Sequence, residues 1–108
     1  MIRNILVVAS LLCFGSPVLA GGDAAKGAEL SKTCAACHGA DGNSTIPSNP
    51  VLAGQYESYI AKALSDYKSG GRQNATMAGF AAALSEQDIR DLAAYFSSQE
   101  SSLTIPNR

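Results

Sequence analysis

The chain contains no tryptophan, a single histidine, three cysteines and two methionines, one of them the initiator. Each scarcity excludes something. Without tryptophan, and with aromatic residues at only 6%, a large aromatic core is ruled out. Eight basic side chains against nine acidic ones, with no basic run, leave nucleic-acid binding without its electrostatic footprint. The main apolar run, Ile5 to Phe14, is about half the roughly 20 residues that a membrane-spanning helix needs.

That short apolar run reads as an export signal. Arg3 gives it a positive start, and "SPVLA" places Val18 and Ala20 at the −3 and −1 positions of a signal-peptidase site. Cleavage is expected after Ala20, with no permanent membrane anchor; Cys13 is a poor lipid-attachment site because Leu12, not a small residue, stands before it. Residues 21–108 then form one exported domain of 88 residues with formal charge −2 and two cysteines. So small a domain usually needs a disulfide, a metal or a bound group to support its core.

The two remaining cysteines and the only histidine fall within "TCAACHG", Thr33 to Gly39. A Cys34–Cys37 disulfide would close a tiny loop and gain little chain entropy, and a redox-active pair would want a βαβ context that the chain lacks. Zinc would need four ligands, and no further Cys or His remains after these three. Covalent haem suits the spacing: Cys34 and Cys37 add to the two vinyl groups, and His38 binds the iron from one side. Export agrees, because this attachment is made outside the bacterial inner membrane.

The other face of the iron has few candidates. Met77, in "RQNATMAGFA", lies in a loop-like run between glycines and off any periodic helical face, which favours thioether ligation over core filling. A lysine or an open sixth site are the alternatives. A His/Met pair is the ligand set of cytochromes c.

The rest of the pattern is all-α. A first helix is expected to start at Asp23 as N-cap and run through "AAKGAELSKTCAAC", with a small-residue face of Ala24, Gly27, Ala28 and Ser31. A second, about Gln55 to Lys68, carries Tyr56, Tyr59, Ile60, Ala63, Leu64 and Tyr67 at helical spacing and ends at "SGG". The third opens on Ser85 with Asp88 three residues on, and its stripe is Ile89, Leu92, Ala93 and Phe96. "SSQESSLTIPNR" reads as a polar tail. The sixteen-residue stretch "GADGNSTIPSNPVLAG" has no periodicity and needs something to wrap around, which a haem supplies.

Taken together, "GDAAKGAEL…CAACHG", "PVLAG", "TMAGF" and "LSEQDIRDLAAYF" resemble the class I monohaem cytochromes c over nearly all of residues 21–108. The run "LAGQYESYIAKALSDYKSGGRQNATM" is most similar to the short bacterial periplasmic members and to one half of the dihaem members. With one haem motif, a second haem domain is not expected. The resemblance implies the cytochrome c fold, with three main helices wrapped around one haem c, and places Gly27 and Tyr95 where the terminal helices cross. It gives Pro50 the carbonyl that accepts from the His38 ring, with Pro47 as competitor and an ordinary turn as the alternative, and it packs Leu52 on the porphyrin. Arg72 and Asn74 hold a propionate or the loop backbone, or are solvated.

The function implied is one-electron transfer in the periplasm, without enzyme activity, by a monomer cycling between Fe(II) and Fe(III). Redox donors and acceptors would dock transiently at a haem edge bordered by Ala35, Ala36, Ala78, Gly79, Phe80, Ala81 and Ala82. Other readings are a subunit of a larger periplasmic oxidoreductase, and a five-coordinate haem sensor or peroxidase-type protein.

Overall fold

A computed structural model describes residues 21–105; the expected export signal over residues 1–20 lies outside the described residues. Among these residues every regular element is helical. They are α1 (Ala24–Leu30), a 3₁₀ turn (Ser31–Thr33), α2 (Ala35–His38), α3 (Glu57–Ser69), α4 (Ala75–Ala81) and α5 (Glu86–Ser98).

The helix starts follow from their caps. Asp23 accepts from the amides of Ala25 and Lys26 at the head of α1, and Ser85 and Asp88 form a reciprocal capping box on α5, each bond 3.0 Å. Helix α3 ends where Gly70 adopts φ 85°, a left-handed conformation that costs a glycine nothing. The long first helix expected from the sequence is broken: Ser31 and Thr33 turn their hydroxyls back onto the carbonyls of Ala28 and Leu30, and the chain tightens into a 3₁₀ turn before α2. A second difference concerns Met77, which lies on α4 and not in a loop. Asn74 starts that helix by accepting from the Met77 amide at 3.0 Å, a cap that the short, glycine-containing segment disguised.

The stripe read on α5 is the core. Ile89, Leu92, Ala93 and Phe96 are all buried, and Leu92, Ala93 and Phe96 form one cluster with Ile60 of α3. Burying a side chain the size of Leu92 stabilises the fold by about 1.5–3 kcal/mol. Helix α1 crosses α5 at Gly27, where an added Cβ would stand 2.0 Å from the Asp91 carbonyl oxygen and 2.7 Å from the Tyr95 Cβ. The crossing is pinned by the buried Asp91, whose carboxylate accepts from the Asp23 amide and from Gln87, each at 2.8 Å.

The irregular segment 39–56 is held against the same core. Leu52 and Ala53 donate their amides to the Gly42 carbonyl, the Tyr95 hydroxyl donates to Ala40 at 2.9 Å, and the Gly54 amide donates to Phe96. The segment after α5 is not a free tail. Asn43 donates to the Glu100 carbonyl at 2.9 Å and accepts from the Ser102 amide at 2.7 Å, strapping residues 100–102 to this loop.

Candidate haem site

The motif's geometry begins with α2. His38 N–H donates to the Cys34 carbonyl at 2.9 Å and Gly39 N–H to Ala35 at 2.9 Å, so Cys34, Cys37 and His38 ride on one helical turn. Gly39 then takes φ 82° and turns the chain away. The two cysteines are unbridged thiols, each half-buried. Burial pushes the Cys34 thiol above its ordinary pKa, with a smaller upward effect from Cys37 and an opposing hydrogen bond from Thr33.

His38 is buried, and its Nδ1 lies 2.9 Å from the Pro50 carbonyl oxygen. A carbonyl can only accept, so Nδ1 carries the proton and Nε2 keeps its lone pair for a metal. Of the two prolines considered, Pro50 makes this bond; Pro47 lines a separate shallow groove beside Ile46 and Leu103.

One cavity of about 360 Å³ draws together all seven sequence candidates: Cys34, Cys37, His38, Pro50, Leu52, Arg72 and Met77. It is lined from α2, the 39–56 segment, α3, α4 and α5. Its apolar wall includes Ile60, Leu64, Leu84, Leu92 and Phe96, and Tyr59, Tyr67 and Gln55 add polar edges. Met77 is half-buried on this wall, presented by the Asn74-capped first turn of α4. No lysine lines the cavity among the described residues, so the alternative of a lysine sixth ligand has no candidate. Arg72 stands with its guanidinium 4.8 Å over the Tyr67 ring, and the Asn74 side chain is spent capping α4.

The expected neutral rim is narrower than the sequence suggested. Ala36, Gly79 and Ala82 are exposed and Phe80 is 49% exposed, but Ala81 is fully buried in the cavity wall. Sequence reasoning also missed Asn49 and Ser44. Both donate to the Cys37 carbonyl, at 3.0 and 3.2 Å, from positions with no periodic pattern to mark them.

The donor set fits haem and not a bare ion. Among the described residues no group of three or more His, Cys, Asp or Glu side chains is placed to hold a metal by itself, so a metal here must bring most of its ligands with it. A pair of thiols on one helical turn, an imidazole with its outer nitrogen anchored and a broad apolar cavity define a c-type haem protein. The chain belongs to the cytochrome c family, whose model matches residues 24–100, and its prosthetic group is haem c, covalently bound through Cys34 and Cys37.

Among its relatives, cytochrome c4 of Pseudomonas aeruginosa is 49% identical over 102 residues, covering 93% of this chain and 51% of the relative. Cytochrome c-554(548) of Halomonas halodenitrificans is 45% identical over 82 residues, which make up 73% of this chain and 99% of that one. The crystal structure of reduced recombinant cytochrome c4 from Pseudomonas stutzeri superposes with a TM-score of 0.73 at 47% identity, over 76% of this chain and 48% of that one. The chain thus spans about half the length of the cytochrome c4 relatives that it matches.

Proposed function

We propose that this protein is a periplasmic one-electron carrier in which His38 and Met77 hold the haem iron. The observation that carries the reading is the convergence of the Pro50-anchored imidazole and the Met77 thioether on the one cavity that also contains both thiols. Haem, when bound, supplies a single-electron couple. What the chain does is fix both ligands in advance: α2 and Pro50 set the imidazole, and the Asn74 cap sets the turn that bears Met77. Rigidly held ligands keep coordination the same in both oxidation states, and a thioether favours the reduced state. With His38 and Met77 both holding the iron, small molecules would be kept off it, which argues against the sensor and peroxidase readings.

Electrons would leave beside Phe80, the exposed residue of the expected neutral rim that lines the cavity. Small neutral side chains permit close approach with little desolvation, as suits a brief encounter with a soluble donor or acceptor at the low end of interface sizes. Among the described residues no helix is long and apolar enough to cross a membrane. Export after Ala20 would deliver the domain to the periplasm, where haem is attached.

The test is a spectroelectrochemical titration of the purified holoprotein followed by carbon monoxide. A reversible couple of one electron, with a reduced spectrum unchanged by the gas, is the expected result. Ready binding of carbon monoxide to the reduced wild type would overturn it.

A further inference from the structure

Residues 49 and 50 grip residues 37 and 38 at two points. The Pro50 carbonyl accepts from the His38 ring at 2.9 Å, and the neighbouring Asn49 side-chain amide donates to the Cys37 carbonyl at 3.0 Å. The Cys37 carbonyl lies at the C-terminal end of α2, where the helix offers it no amide partner, so side chains from the loop complete it. Asn49 is itself set by a turn, its amide donating to the Ile46 carbonyl at 3.0 Å, and it is half-buried on the cavity wall. Ser44 also reaches the Cys37 carbonyl, at 3.2 Å, but its single hydroxyl proton is shared with the Ile46 carbonyl at 3.1 Å, its oxygen accepts from the Ile46 amide, and it is six residues removed from Pro50.

We propose that Asn49 is a positioning residue for the axial imidazole: it locks the Asn49–Pro50 unit to the Cys37–His38 unit, and so fixes the plane of the His38 ring and the strength of its bond to Pro50. A ring N–H held firmly by a carbonyl makes the imidazole a more basic ligand, which stabilises the oxidised iron. Releasing Asn49 lets the Pro50 carbonyl drift from Nδ1. The ring then gains rotational freedom, and the reduced state is favoured. This proposal rests on the reading of His38 as an iron ligand.

The experiment uses the holoproteins of the wild type, Asn49→Ala, Asn49→Gln and Ser44→Ala. Each is read by the pattern of haem-methyl shifts in the oxidised protein, which reports the orientation of the axial imidazole, and by the midpoint potential. Asn49→Ala should change the methyl pattern and raise the potential, shifting the reduced-to-oxidised ratio at fixed solution potential by up to about tenfold, or about 59 mV for one electron. Asn49→Gln, which keeps an amide donor, should recover part of both changes. Ser44→Ala should leave both near the wild type, although it removes a bond to the same carbonyl.

An unchanged pattern and potential in Asn49→Ala, or equal changes in Ser44→Ala, would overturn the proposal and reduce Asn49 to general loop support. If Asn49→Ala yields no holoprotein, the isosteric Asn49→Asp, which when ionised has no donor, is read by the methyl pattern alone; an unchanged pattern again overturns the role. An oxidised wild type whose spectrum lacks hyperfine-shifted imidazole ring signals would instead contradict His38 ligation itself, so the two failures are told apart.

Discussion

Replacing Gly27 with alanine sets two effects against each other, and the structure decides between them. In an exposed helix interior the change would stabilise by about 1 kcal/mol, because alanine is the better helix former. Here the new Cβ would lie 2.0 Å from the Asp91 carbonyl oxygen and 2.7 Å from the Tyr95 Cβ, distances that no contact tolerates. Backbone stands on the far side, so α1 as a whole must move away from α5. Overpacking of this kind costs about 1–3 kcal/mol. The movement also stretches the bond between the Asp23 amide and the buried Asp91 carboxylate, worth about 1 kcal/mol or more. The net expectation is destabilisation by about 2 kcal/mol, roughly 8–16 °C in Tm for a domain of this size. Thermal melts of the oxidised holoprotein by far-ultraviolet circular dichroism give the answer. A Tm equal to or above the wild type would show that the helices do not cross in close contact at Gly27.

Three further outcomes are expected. The protein denatured in acid should weigh one polypeptide beginning at Gly21 plus one haem; a bare chain, or one retaining residues 1–20, contradicts the attachment or the cleavage. Phe80→Glu should slow electron exchange with the native partner while leaving haem content intact, and the wild-type rate should vary only weakly with ionic strength, given a formal charge of −2 over residues 21–108; a steep fall with salt, or an unaffected Phe80→Glu, would place docking elsewhere. Hydrogen bonds from the Asn43 side chain and backbone hold the exposed Asp41 carboxyl below its usual pKa. A depressed carboxylate stabilises the fold above its unfolded-state pKa, and the contribution is lost as pH falls through the folded value. Asp41→Asn should therefore be slightly less stable than the wild type at neutral pH, and the gap should close in acid; a gap that persists there would assign the loss to something other than the charge.

What the sequence revealed and what it hid have physical reasons. Cys34, Cys37 and His38 were legible because covalent haem demands one spacing, and α5 was legible because its cap and its apolar stripe both repeat at helical intervals. The 3₁₀ break at Ser31–Thr33 was not, since it arises from hydroxyls bonding back to their own helix while the side-chain pattern continues unbroken. Helix α4 escaped notice because seven residues carry too little periodicity to outweigh Gly70 and Gly71 before it and Gly79 within it. The two bonds of Asn43 to residues 100–102 and the bond of Asn49 to Cys37 are isolated polar contacts between separate segments, and these leave no trace in a linear pattern. Burial of Ala81 depends on how α4 leans over the cavity, which composition alone cannot tell.

The central claim, a carrier whose iron is closed by His38 and Met77, meets its most direct test in the near-infrared spectrum of the oxidised protein. The account predicts a weak sulfur-to-iron charge-transfer band in the wild type that disappears in Met77→Ala, together with new binding of carbon monoxide to the reduced variant. A wild type without the band, or a Met77→Ala protein with an unchanged spectrum, would contradict it and return Met77 to the role of a core side chain.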